Sequence, residues 1–212
     1  MALQRRERER LAREAEILSA AERLFITKGY ENTTMDVIAK EAEFTKRTLY
    51  QYFTSKENLF YAVIINGVKV LLSYIDEAID AGKTGFEKIR GTRSALYRFV
   101  KAYPDIYQLM NYTQFIKSDP EKIPNYQELN KLNSQLFSRF GQVVAEGMKD
   151  GSIRPDFNMP LGIFALFFLT TGFMGRITEV GPLYSARFSF DMEDLVKYTF
   201  DRMDDLIRTD ER

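Results

Sequence analysis

The 212-residue sequence contains no cysteine and no histidine. Without Cys there is no disulfide and no thiolate to act as nucleophile or metal ligand. Without His the chain lacks the usual general base near neutral pH and the commonest metal ligand. An excess of charge is missing too: Lys and Arg number 30, Asp and Glu 30, and the formal net charge is zero. Bulk charge therefore does not draw a polyanion to this protein. The first 56 residues lean slightly basic and the remainder slightly acidic, so any contact with nucleic acid must rest on local placement of charge. A Gly-rich phosphate loop and a nucleophile elbow are also absent, as are alternating strand patterns and internal repeats. The N-terminus carries Arg5, Arg6, Arg8 and Arg10 with no apolar stretch behind them, which is not a signal peptide and leads us to expect a cytoplasmic protein.

The acids that remain as candidates for chemistry are Asp119 with Glu121, and Asp201, Asp204 and Asp205. They read as loop and surface-helix residues, so no catalytic group, metal or cofactor is expected. A hydrophobic content of 45% supports a substantial core and a charged content of 28% a solvated surface. The hydrophobic spacing is helical wherever it is periodic, and the chain reads as all-α.

The most informative stretch is TTMDVIAKEAEFTKRTLYQYFTSK, residues 33–56. Thr33 followed by Asp36 fits a helix N-cap with an acid at the third position. Val37, Ile38 and Ala39 give that short helix a buried face. After a break at Glu43 and Phe44, Thr45 is the next cap. Leu49 and Phe53, four apart, face inward together, while Lys46, Arg47, Tyr50 and Gln51 fall on the opposite side. Thr54, Ser55 and Glu57 then open a longer helix. A short helix that buries one stripe and presents cations and hydroxyls on the other is what a recognition helix needs. Ahead of it, a helix from about Leu11 to Lys28 repeats Leu11, Leu18 and Phe25 and ends at Gly29. Arg5, Arg6, Arg8, Arg10 and Arg13 precede or open it; they read either as a basic arm on DNA or as a solvated helix start.

This stretch, and above all its T-L-Y-x-Y-F-x-S-K-E-x-L core, resembles the DNA-binding domain of TetR-type transcriptional regulators over roughly residues 10–65. Two positions depart from that pattern: Glu43 stands where the family often has Gly, and Tyr52 where it often has His. The resemblance implies a three-helix helix-turn-helix head over residues 1–55 and a helical ligand-binding and dimerisation domain over 56–212. It also implies a regulator, most often a repressor, released from operator DNA by a small effector. Thr34, Tyr50, Tyr52 and Lys56, at helix starts or the flank of the recognition helix, are expected on phosphates of a double-stranded operator. Thr45, Lys46, Arg47 and Thr48 are expected near base edges, and Asp36 away from DNA.

Beyond the head, a helix from Ser55 to about Ala81 is too long for the head alone and must enter the second module. Residues 86–101, a segment from Pro104, and residues 125–149 follow as helices. Residues 157–175 carry no charge. With Pro160, several Gly and basic residues on both flanks, they read as a helix buried against core and partner, not a membrane span. With the last helix, from about Asp191, they resemble the antiparallel pair that the family uses for a four-helix homodimer interface. The 12 Tyr and 17 Phe lie mostly in this second part. They suggest a pocket for a small hydrophobic effector, with Phe99, Tyr103, Tyr107 and Met110 as candidates, together with Phe115, Phe137, Phe164 and Phe168. For any one of them ordinary core packing is the better reading, and only the set favours a pocket. Two alternatives remain open at this level: a constitutive dimeric regulator without effector, and a helical small-molecule enzyme or carrier.

Overall fold

The computed structural model describes residues 2–113, 116 and 119–209. In chain order the helices are α1 (Ala2–Lys28), α2 (Met35–Glu41), α3 (Lys46–Tyr52), α4 (Lys56–Ala81), α5 (Gly85–Ala102), α6 (Pro104–Tyr112), α7 (Pro124–Asp150), α8 (Met159–Phe188) and α9 (Met192–Asp204), with a 3-10 turn at Pro120–Lys122. Among the described residues there is no strand, only an isolated bridge between Ile153 and Arg208. The chain divides into two compact units, Met1–Val68 with Asp105–Leu132, and Lys69–Pro104 with Asn133–Arg212. The expected division between residues 55 and 56 falls inside the first of these.

In the first unit α1 supplies Ile17, Ala21, Leu24 and Phe25 to the core, α2 supplies Met35, Ile38 and Ala39, and α3 supplies Leu49. The apolar stripe of α1 begins later than its sequence suggests: Leu11 is 51% exposed. The start of α1 is helical from Ala2 and is laced by ion pairs, Arg5 with Glu9 and Arg10 with Glu7 and Glu14. Gly29 closes α1 with φ +77, a conformation costly for any residue with a Cβ. The cap of α2 is Thr34, not Thr33: the Thr34 hydroxyl accepts from the Val37 N–H at 3.3 Å. Thr33 is fully buried and donates to the carbonyls of Leu24 and Gly29, pinning the α1–α2 turn. The break between α2 and α3 is made by Glu43, which sits at φ 58. The turn thus takes the left-handed shape that a glycine would take, with a glutamate in it.

The first unit also holds the start of α4, with α6 and the first turns of α7. Asn58 on α4 is buried, accepts from the Asn125 backbone N–H at 3.1 Å, and its carbonyl accepts from the Asn125 side chain at 2.7 Å. A ring cluster of Phe25, Tyr30, Phe60 and Tyr112 fills the space beside it; the Tyr30 and Phe60 ring centres are 4.9 Å apart and those of Tyr30 and Tyr112 5.6 Å. The second unit is built on Ile75 and Ile79 of α4, Ile89 and Ala95 of α5, Val143 and Val144 of α7, Leu166 of α8, and Met203 and Ile207 at the C-terminus. Helices α5 and α7 approach closely at Gly85 and Gly147: a Cβ on Gly85 would lie 2.2 Å from the Gly147 nitrogen.

The Glu43 conformation generates a stability prediction. A left-handed L-residue costs roughly 1–2 kcal/mol, and glycine loses roughly 0.5–1 kcal/mol more backbone entropy on folding. Glu43→Gly is expected to stabilise the first unit by about 0.5–1 kcal/mol, read as a higher urea midpoint at unchanged m. An unchanged or lower midpoint counts against strain at this turn.

Candidate functional site

The exposed face of α3 carries the groups expected to meet DNA. Thr45 caps the helix, accepting from the Thr48 N–H at 3.1 Å, and the two hydroxyls lie 2.8 Å apart. Seven residues make only two turns, and only Leu49 of α3 is fully buried; Phe53, the C-cap, adds a second buried anchor. Lys46, Arg47 and Tyr50 are exposed. The Lys46 ammonium pairs with the Asp36 carboxylate at 2.8 Å. Asp36, expected only as a helix-start acid, therefore also orients a candidate base-reading cation across the α2–α3 turn. Arg47 makes no ion pair among the described residues. Thr34 is exposed at the start of α2, and Tyr52 is half-buried at the end of α3.

Lys56 differs from a free surface cation. Its ammonium donates to the Tyr30 carbonyl at 3.0 Å and lies 4.0 Å from the centre of the Tyr30 ring. The Tyr30 hydroxyl donates to Glu57 at 3.1 Å, and burial first, then the Glu57 charge, push its pKa well up. The phenol therefore stays protonated near neutral pH and keeps its hydrogen for Glu57.

The second unit contains a cavity of about 100 Å³. Its wall takes Leu71 and Ile75 from α4, Ile89, Thr92, Arg93 and Leu96 from α5, Leu136, Phe140 and Val144 from α7, and Ile163, Leu166, Phe167, Thr170 and Thr171 from α8. The seven aromatic and methionine candidates among the described residues are distributed elsewhere. Phe99 and Tyr103 pack on Tyr74 of α4, with ring centres 6.2 and 6.4 Å away. Tyr107 and Met110 belong to the first unit; Tyr107 is buried, which pushes its pKa up to about 12. Phe137 packs on Phe164 and Phe167 at 5.0 Å each. Phe164 and Phe168 lie on an exposed face of α8, Phe168 at 67% exposure. Phe115 lies outside the described residues.

Two residues of this unit were not read from sequence as buried. Arg93 is 4% exposed and pairs with Asp204 of α9, itself buried. Arg90 shares the same carboxylate, its Nε 3.1 Å from Asp204. Asp204, taken from sequence for a surface acid, is instead the counter-ion of an interior arginine. The signal was present in the spacing of α5: Ile89, Arg93 and Leu96 fall on one helical face, so an arginine sits within an apolar stripe. Among the described residues no group of acids is placed to hold a metal ion.

The comparisons with known proteins agree with this geometry. Residues 17–63 match the family model "Bacterial regulatory proteins, tetR family". The HTH-type transcriptional regulator QacR of Staphylococcus aureus is 31% identical over 142 residues, covering 64% of this chain and 70% of that protein. The uncharacterized HTH-type transcriptional regulator YhgD of Bacillus subtilis is 27% identical over 139 residues, 66% of this chain and 71% of that one. A solved TetR family transcription regulator from Marinobacter aquaeolei superposes with a TM-score of 0.68 at 20% identity, covering 97% of this chain and 100% of that chain. The fold and the head thus define a helix-turn-helix transcriptional regulator. The chain belongs to the tetR family of bacterial regulatory proteins, and its members are regulators, not enzymes.

Two predictions follow from the placement of these charges. Arg47→Ala is expected to leave stability unchanged within about 0.5 kcal/mol, whereas Lys56→Ala is expected to lower it by about 1 kcal/mol through loss of the Tyr30 contacts. Urea unfolding of both variants checks this, and equal losses would contradict the assignment. Arg93→Met leaves the Asp204 carboxylate with Arg90 alone and is expected to destabilise by about 3 kcal/mol, most of which returns in the Arg93→Met/Asp204→Leu double variant. Thermal unfolding of the two variants separates a charge effect from a volume effect.

Proposed function

We propose that this regulator acts as a homodimeric repressor that leaves a palindromic operator when a small hydrophobic effector enters the cavity of its second unit. The observation that carries the reading is α4. One continuous helix holds Lys56, clamped to Tyr30 in the head, and Leu71 and Ile75 in the cavity wall. At 1.5 Å per residue it spans about 39 Å. A ligand that prefers one setting of its far half shifts the population of head positions by that preference and no more. DNA and effector must then weaken each other by the same factor.

In the DNA-bound state Thr45, Lys46, Arg47 and Thr48 approach base edges, and Thr34, Tyr50, Tyr52 and Lys56 approach phosphates. Lys56 brings its Tyr30 contacts with it, so its reach to phosphate is that of a fixed group. The dimer is formed by the outer faces of α8 and α9. Leu161, Phe164, Phe168, Leu183 and Phe188 are exposed along α8, and Tyr198 on α9. Apolar exposure on this scale marks an interaction surface. Helices α4 and α8 are both long and apolar enough to cross a membrane, but we assign the bare face of α8 to a second copy of the chain, in a cytoplasmic protein. The constitutive alternative draws support from the cavity's size: about 100 Å³ is below the roughly 300–1,000 Å³ of common ligand pockets.

The tests are oligomeric state and operator binding. Phe168→Arg is expected to give a monomer at micromolar concentration in sedimentation, with half-site binding only. Arg47→Ala is expected to flatten sequence preference at one base position by roughly 1–3 kcal/mol in gel-shift titrations against DNA upstream of the chain's own gene. A wild-type monomer, or an operator affinity unmoved by every small hydrophobic ligand that binds, would leave a different or a constitutive regulator.

A further inference from the structure

The cavity between α4, α5, α7 and α8 is lined almost wholly by apolar surface, although four of its residues carry polar groups. Each of the four turns its polar end elsewhere. Thr92 donates to the Ile89 carbonyl at 2.7 Å and Thr171 to the Phe167 carbonyl at 2.8 Å, both back along their own helices. Thr170 donates to the Met203 sulfur at 3.8 Å. A threonine bound in this way presents its methyl group to its surroundings. Arg93 is enclosed at Nε and Nη2, and its guanidinium faces Asp204. Its part in the wall is therefore its apolar stem. Among the described residues no Tyr, Ser, Asn, Gln, Asp or Glu joins the wall, in a chain that has 12 Tyr to offer.

We propose that this cavity selects an uncharged hydrocarbon of about one ring, with no group that donates or accepts a hydrogen bond. As a statement about the effector this rests on the effector reading above, and it adds the chemistry of the ligand. A hydroxyl or amine carried into the cavity gives up its water and finds no partner. A carboxylate or an ammonium gives up far more. Water gains nothing there either, because a buried water needs about two to four polar partners. A hydrocarbon leaves nothing unpaired. It sheds its contact with water and gains dispersion contacts with Leu71, Ile75, Phe140 and Ile163. The size follows from the space. A dry cavity of roughly 150 Å³ lined by such side chains takes up benzene. At about 100 Å³ this one is of the same order, and a polycyclic or long-chain molecule exceeds it.

The experiment compares toluene, phenol and aniline by titration calorimetry at pH 7 on the full chain. They share one ring, are uncharged, and differ only in a methyl, hydroxyl or amino substituent. Toluene is expected to bind at least about tenfold more tightly than phenol or aniline. Phenol or aniline binding as tightly as toluene would overturn the inference and leave a hydrophobic effector in place. So would the absence of any toluene binding. Two variants locate the ligand. Val144→Phe, which puts a ring into the wall, is expected to weaken toluene at least about tenfold. Phe168→Arg, on the outer face of α8 and outside the wall, is expected to leave toluene affinity unchanged. Loss of toluene binding in Phe168→Arg would place it on the outer face and overturn the inference, whether or not Val144→Phe folds. The effector reading is tested apart from this by repeating the toluene titration with operator DNA present. Equal affinity with and without DNA would sink the effector reading while the selectivity for a hydrocarbon stands.

Discussion

A helix of seven residues does not hold its shape in water. Its first turn fixes several dihedral angles for a single hydrogen bond, and the few that follow do not repay it. The helix we propose as the one that meets DNA, α3, is of this length, and the architecture around it answers that weakness. Thr45 satisfies an orphan N–H at one end of α3, and Phe53 carries the chain away at the other. Leu49 and Phe53 anchor it in the core. Asp36 reaches across from α2 to hold Lys46. Because these supports lie inside the first unit, the exposed face of α3 is pre-organised, and the proposed binding step would carry little ordering cost.

The head was largely legible in the sequence because its devices are local. Capping hydroxyls, a four-residue apolar spacing and a terminal glycine act over distances that a short window contains. The errors were small and of one kind. Thr33 and Thr34 are adjacent hydroxyls, and only the fold reveals that Thr33 turns inward to the Leu24 carbonyl while Thr34 caps α2. Lys56 was legible as a helix-start cation expected on phosphate, but its bond to Tyr30 was not, because that partner stands 26 residues earlier. Glu43 read as a departure from the expected turn, yet the chain keeps the left-handed backbone there. Tertiary packing evidently imposes the turn more firmly than the residue resists it.

The second unit was legible only as a set of helices. Aromatic count drew attention to Phe99, Tyr107 and their neighbours, but aromatic rings mostly pack on one another, as Phe99 and Tyr103 do on Tyr74. Which faces leave a gap between them depends on how four helices meet, and no single-helix pattern contains that. The cavity is in fact walled mainly by Leu, Ile, Val and Thr. Arg93 is the instructive case. An arginine inside an apolar stripe is visible in the sequence, and a residue of that kind is rarely fully buried unless paired. Its partner, Asp204, lies more than a hundred residues away at the far end of α9, so the pairing itself belongs to the fold.

The cavity has a consequence of a different kind. Empty space inside a protein is volume that the unfolded chain does not contain, and unfolding eliminates it. Hydrostatic pressure therefore bears on the second unit through this void, drawing the chain toward states in which water enters. A molecule seated between α4 and α8 would occupy that volume and take the leverage away. The unliganded protein would then be the more compressible form, and its response to pressure, with no DNA and no second reporter present, would register whether the interior is filled.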